Sequence, residues 1–313
     1  MNPTPAQLVS RGRSFAILLA LALTFLTGCV GPVRVPISSD SRTQLGKVKG
    51  IVGLQQQEIG TEINPSNVSA ATGGGLIAGI IDMSIDDARA KKAEAAVKPV
   101  RDALIDYQPG NVLAADLQNA LDDVPGASLS HTDVQQVIDP NTTAEWINGS
   151  GGTSVLLVTL GYKLSADFKS IIVSAEVSLH PAGGRLASVT QTKANLPPLV
   201  YYNMFSSFNI LPGLAGAQSR DGLVTLWAAD GGRQAKTVLN AGLQELADMI
   251  AYDLTAPSPP AGERYETPDG AEKHFGIAEY GATNVGFQGY IEHKADGRIW
   301  VRLPGGQLSS FPQ

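Results

Sequence analysis

Residues 171–180, "IIVSAEVSLH", alternate with a period of two. Ile171, Val173, Ala175, Val177 and Leu179 fall on one side, and Ile172, Ser174, Glu176, Ser178 and His180 on the other. Successive side chains of a strand point to opposite faces, so this run reads as a β-strand with one buried and one mostly wet face. The wider segment 153–192 breaks at "SADFK" and "PAGG", both of turn composition, which predicts three antiparallel strands in a meander. Such a sheet needs a cover. "RQAKTVLNAGLQELADMIAYDL" (233–254) supplies it, with Val238, Leu239, Leu243, Leu246, Met249 and Ile250 along one helical stripe.

The flanking sequence extends the same layered plan. "KVKGIVGLQQQEIG" (47–60) has β-branched residues in its first half and fits a strand, and "ASLSHT" (127–132) fits a short one. Between them, residues 73–107 form a long helical segment with Pro99 inside it, which predicts a kink or two helices meeting near Lys98. "NVLAADLQNALDDV" (111–124) is a second helix, with Leu113, Leu117, Ala120 and Leu121 on one face. Residues 255–270 are a linker by their proline, glycine and charge content. In 271–313 the turn signals Asp296-Gly297 and Gly305-Gly306 separate short β-prone runs, a small β appendage expected to pack on the main domain. The expected class is α+β, an antiparallel sheet with helices packed on it, over residues 47–254.

The N-terminus carries an address. Arg11 and Arg13 form a basic start, Phe15 to Leu26 is an uninterrupted apolar run, and Thr27 and Gly28 are small. That is the layout of a secretory signal, and its core is short of the roughly 20 apolar residues that span a bilayer. Leu26-Thr27-Gly28-Cys29 resembles the lipobox of bacterial lipoproteins, and Cys29 is the sole cysteine of the chain. The resemblance implies a diacylglyceryl group on the Cys29 thiol, cleavage of residues 1–28, and acylation of the new amino terminus. Two or more chains make such anchoring stable. The family pattern further implies outer-membrane placement facing the periplasm, because Val30 rather than Asp follows the cysteine. Residues 29–46, rich in proline and small polar residues up to Leu45, read as an extended lipidated tether.

Loss of residues 1–28 removes Arg11 and Arg13 and no acid, leaving 21 basic against 29 acidic side chains, a balance of −8. Such a chain repels phosphate backbones, so nucleic acid is not an expected partner. The histidines His131, His180, His274 and His293 have no metal-ligand spacing and read as surface or turn residues; no metal and no cofactor are implied. No serine sits in G-x-S-x-G, and the glycine run 73–79 matches neither a P-loop nor a dinucleotide fingerprint. A triad assembled from distant residues stays open, because triads are geometric.

Two features point to contacts rather than chemistry. Gly75 and Gly79, four apart, permit close approach of another element, either inside the domain or between copies in a homo-oligomer. "LPPLVYYNMFSSFNILPGLAG" (196–216) gathers Tyr201, Tyr202, Phe205 and Phe208 between prolines and glycines; they serve either the core or a recognition surface. By its order of elements, 47–254 resembles the periplasmic α/β domain of envelope lipoproteins such as the curli-secretion lipoprotein and the lipoprotein activators of penicillin-binding proteins. The resulting expectation is a non-enzymatic outer-membrane lipoprotein that tethers a binding domain for a protein or cell-wall partner. A homo-oligomeric, secretion-associated lipoprotein and a lipid-anchored hydrolase are the alternatives.

Overall fold

The computed structural model describes residues 34–44, 48–62, 76–122, 124, 129–135, 140–181, 199–211, 219–256, 273–280, 283–303 and 305–313, with the backbone alone for 43–44, 76–87, 140–142, 273–280 and 283–288. Cys29 and the rest of the expected lipobox, Gly75, most of the expected 255–270 linker, and the third strand expected before Thr192 lie outside the described residues.

Five helices and ten strands form a mixed α+β fold among the described residues. In chain order the elements are α1 (Ser39–Gln44), β1 (Val48–Leu54), β2 (Gly60–Thr61), α2 (Leu76–Ala103), α3 (Pro109–Leu121), β3 (Leu129–Gln135) and α4 (Pro140–Asn148). There follow β4 (Ser154–Leu164), β5 (Ser170–His180), β6 (Tyr201–Ile210), α5 (Arg220–Thr255), β7 (Lys273–Tyr280), β8 (Thr283–Ala295), β9 (Arg298–Arg302) and β10 (Leu308–Pro312). The sheet order is β3-β1-β4-β5-β6-β10-β9-β8-β7, with β2 paired to β4.

The alternation in 171–180 gives the expected buried face, while the other phase is only partly wet, with Ser174 and Ser178 half-buried and Ile172 and His180 buried. Val173, Ala175, Val177 and Leu179 are buried beneath α5, and Glu176 on the other phase is exposed. β4, β5 and β6 are consecutive antiparallel partners, Leu156 opposite Leu179 and Val173 opposite Ser207. The sheet as a whole is mixed, however. β1 runs parallel to both β3 and β4, and β10 runs parallel to β6. The reason lies in the connections: α2 and α3 separate β1 from β3, and helical crossovers of that length return a chain to the same end of a sheet. The partner of β5 is another departure. It is Tyr201–Ile210, the segment whose prolines and aromatics suggested a recognition loop.

α2 runs through Pro99 without a break. Proline removes the bond to the carbonyl four residues back, here Ala95, which lies on the exposed side of the helix where water can take that role. Pro109 opens α3 at a position where its missing N–H costs nothing. Leu113, Leu117 and Leu121 of α3 pack into the main core together with the stripe of α5. α5 itself is two helical arms. Asp230, Gly231 and Gly232 have φ of 52°, 65° and 72°, so the chain turns at "DGG" before the long second arm crosses the sheet. The first arm is capped by Ser219, whose Oγ accepts from the Gly222 amide. It is pinned to the β4–β5 turn, where Trp227 Nε1 donates to the Phe168 carbonyl at 2.6 Å.

β7 to β10 continue the same sheet at its far side, and β10 seats them against β6. The Asp296-Gly297 signal is the β8–β9 turn, with φ of 52° and 72°.

Gly242 marks the closest approach of α5 to the sheet. A Cβ there would lie 2.7 Å from Asn209 Nδ2 and 2.8 Å from Val173 Cγ2. Helix propensity alone favours Gly242→Ala by about 0.5–1 kcal/mol. The packing reverses the sign, and we expect a loss of about 1–3 kcal/mol in chemical denaturation. A stabilised G242A protein would contradict this seating of α5.

Candidate functional site

The stripe that buries α5 does not end on an apolar residue. Leu246, Met249 and Ile250 are followed one turn later on the same face by Asp253, so the helical period carries a carboxylate into the core. Its side chain is 0% exposed, and an ion in such a place needs partners. Arg302 of β9, also 0% exposed, meets Oδ1 at 2.7 Å. Arg34 meets the same oxygen at 3.0 Å and donates from Nε to Oδ2 at 3.1 Å. Tyr201 Oη and Asn203 Nδ2 of β6 donate to Oδ2 at 2.7 and 2.8 Å. Arg302 is held in turn by Glu292 Oε2 at 2.8 Å from Nε and by the Gly306 carbonyl at 2.8 Å from Nη1. Two guanidinia and two carboxylates therefore close a nearly neutral cluster.

Burial by itself pushes the Asp253 carboxyl up. The Arg302 and Arg34 guanidinia, with the Tyr201 hydroxyl, outweigh it and hold the group below the ordinary carboxylate range. Burial and the neighbouring Asp253 charge push the Tyr201 phenol well up, so it stays a donor.

A second polar cluster lies two turns back along α5. Glu245 Oε1 accepts from Trp300 Nε1 and from Ser310 Oγ, both at 2.5 Å, and pairs with Arg298 Nε at 3.1 Å. Arg298 also reaches Ser207 Oγ at 3.1 Å and the Phe208 carbonyl at 2.9 Å. Both clusters lie between α5 and the seam where β6 meets β10 and β9. They join the C-terminal strands to the main domain.

The first cluster also captures the N-terminal arm. The Arg34 amide donates to the Gly305 carbonyl at 2.9 Å, and Val35 exchanges backbone bonds with Tyr202 at 2.8 and 2.9 Å. Ile37 is 1% exposed. Ser38 and Ser41 join at the start of α1, and Arg42 donates to the carbonyls of Thr255 and Ala256, both at 3.1 Å, at the C-terminus of α5. The extended tether expected over 29–46 is thus packed onto the domain from Arg34 to Gln44. The physical reason is one side chain that no local pattern singles out: Arg34 is a partner that the buried Asp253 demands.

The four aromatics of the candidate interaction segment split by strand phase. Tyr201 and Phe205 point into the core, at 0% and 1% exposure. Tyr202 and Phe208 are half-buried on the opposite face, where Phe208 stacks on Phe311 with centroids 4.8 Å apart. Burial, followed by Glu176, pushes the Tyr202 phenol up. Gly79 lies in α2, where the backbone alone is described, and Gly75 lies outside the described residues. His131 is exposed on β3, and His293 is exposed against the Trp300 ring at 4.5 Å between centroids. His180 departs from the surface reading: it is 4% exposed at the end of β5, 3.0 Å from Ser178 Oγ. Among the described residues no group of three or more His, Cys, Asp and Glu side chains is placed to hold a metal, and no helix is long and apolar enough to cross a membrane.

Asp253→Asn keeps the shape and removes the charge that two arginines surround. Breaking a buried pair from one side costs about 3–5 kcal/mol, the expected loss at pH 7. Because the folded carboxyl titrates below its ordinary value near 3.9, its contribution is present above that pH and fades as the pH falls through the lower folded value. The gap between wild type and D253N in urea denaturation should therefore narrow between pH 5 and pH 3. A gap of constant size would mean that Asp253 titrates in the fold as it does in the unfolded chain, and a gap that widens would mean that the fold holds its neutral form.

No protein-family model and no curated protein matches the sequence. Among solved structures the chain is similar to a PelC dodecamer from Paraburkholderia phytofirmans, at 10% identity and a TM-score of 0.27 over 72% of this chain and 96% of that one. A single-substitution variant of the same PelC dodecamer gives 11% identity and 0.27 over 72% and 100%. A TM-score of that size assigns neither a shared fold nor a shared role.

Proposed function

We propose that this chain is a lipid-anchored lipoprotein of the bacterial cell envelope, acylated at Cys29 and facing the periplasm from the outer membrane. Its α+β domain acts by binding another envelope component, a protein or the cell wall, and not by catalysis. The observation that supports this best is the packing of Arg34 into the domain only five residues after the lipobox cysteine. An N-terminal anchor attached there would not dangle from the domain but be built into it. The chemistry of the described site agrees: Asp253 has guanidinium, phenol and amide partners and no solvent exposure, so it binds chain to chain rather than chain to substrate.

Confinement to a membrane surface raises the effective concentration of such a domain for partners in the same layer, and a shorter tether confines it more. Removing the anchor should remove function while leaving the fold. Cys29→Ser is expected to shift the protein from the membrane to the soluble fraction and to abolish incorporation of labelled palmitate. Membrane fractionation that is unchanged in C29S would sink the lipoprotein reading. In-cell crosslinking of the acylated protein then separates the roles: a reproducible foreign partner supports the tethered binding domain, and crosslinks only to itself replace it with a homo-oligomer.

A further inference from the structure

We infer that the arm Arg34–Gln44 is a clasp that converts lipid attachment into a fixed orientation. The Gly305–Gly306 end of the domain faces the lipid bilayer surface, and the Ser165–Lys169 end faces away from it. The inference rests on acylation at Cys29, as proposed above, and adds which surface of the domain the membrane covers.

Three observations carry it. First, the chain leaves the domain at one defined point. Arg34 is fixed by its backbone to Gly305 and by its side chain to Asp253, and a Cβ at Gly306 would lie 2.4 Å from Arg34 Cβ. Gly306 has φ of 86°, so that turn is shaped around the arginine. Second, the hold is distributed. The Val35–Tyr202 pairing, the buried Ile37 and the two Arg42 bonds to the end of α5 must all break before the exit point moves. Third, the remaining leash is shorter than the domain. Five residues from Cys29 to Arg34 reach at most about 17 Å. β5 alone has 11 residues, about 35 Å of strand, running from Ser170 at one end to His180 beside the Tyr201 end. A body held at one end by a leash half its length cannot stand on its other end, because the attachment point would then lie farther from the surface than the leash reaches.

The absence of any other cysteine makes the test direct, because a single introduced cysteine carries the only reactive thiol of the acylated full-length protein. Gly305→Cys places a fluorophore at the proposed membrane end, where a Cβ meets nothing closer than 3.8 Å, and Lys169→Cys places one at the other end, where the side chain is half exposed. Both proteins are reconstituted in phosphatidylcholine vesicles that contain head-group spin-labelled lipid. The expected result is quenching several-fold stronger at 305 than at 169. Inserting about ten Gly/Ser residues between Val33 and Arg34 leaves the clasp intact but lengthens the leash, and should bring the two sites to equal quenching. Equal quenching in the parent protein, or a difference that survives the insertion, would overturn the orientation. A Cys29 found unacylated by mass spectrometry would instead overturn both this inference and the lipoprotein reading.

Discussion

The structure turns on a carboxylate that has no access to water. Asp253 is placed in the core by the same helical period that places Leu246 and Ile250, and its charge is acceptable there only because Arg302 and Arg34 arrive from opposite ends of the sequence. Desolvating such ions costs several kcal/mol each, so a buried ion cluster is weak evidence for net stability. What it enforces is arrangement. A packing of α5 that leaves out β9 or the N-terminal arm strands a charge in the core, and any competing register of β6 loses Tyr201 and Asn203 as donors. The C-terminal strands and the arm are therefore not accessories to a domain completed elsewhere.

The same requirement explains the character of the sheet. On the side covered by helices, β6, β9 and β10 carry Asn203, Ser207, Asn209, Arg298, Arg302 and Ser310, residues that would be expected in water. They face inward because Glu245 and Asp253 of α5 give them partners. The opposite side is apolar in two places instead: where Trp146 of α4 packs on Ile51, Val155 and Leu157, and where Phe208 and Leu303 pack on Ile299, Val301 and Phe311. Along β6 the usual rule of apolar in and polar out is thus partly inverted.

That inversion is why part of the fold was legible in the sequence and part was not. The stripe of α5, the face of α3 and the alternation of β5 obey the simple periods, and all lie where they were expected. β6 has an equally regular burial pattern, but its inward residues include Asn203, Ser207 and Asn209, so the period was invisible to a reading based on hydrophobicity and only its aromatics stood out. Parallel pairing of β1 was recoverable from the two helices that follow it, since a crossover dictates direction; a sheet read from its central meander alone appears antiparallel. Arg34 was illegible for a different reason. Nothing local distinguishes an arginine in "GPVRVP" that is solvated from one that answers a carboxylate 219 residues away. The one available signal was Asp253 itself, an acid in phase with a buried stripe, which requires a cation without naming it.

The captured arm also changes what the proline-rich segment after Cys29 means for the domain. Read as a free tether to Leu45, its contour would reach about 54 Å, and its root-mean-square span as a flexible chain would be about 22 Å. Docking from Arg34 cuts the greatest reach to about 17 Å. A flexible tether of the longer kind lets a domain search a volume and accept partners at many heights and angles. A short one gives up that search and gains effective concentration for a partner at a fixed height, provided the geometry permits engagement at all. The entropy cost of ordering eleven residues of arm is opposed by the burial of Ile37, by the Arg34 pair with Asp253, and by the Arg42 bonds to the end carbonyls of α5. The buried ion cluster and the docked arm are thus one device: the charge that organises the core also fixes the point at which the chain joins the domain.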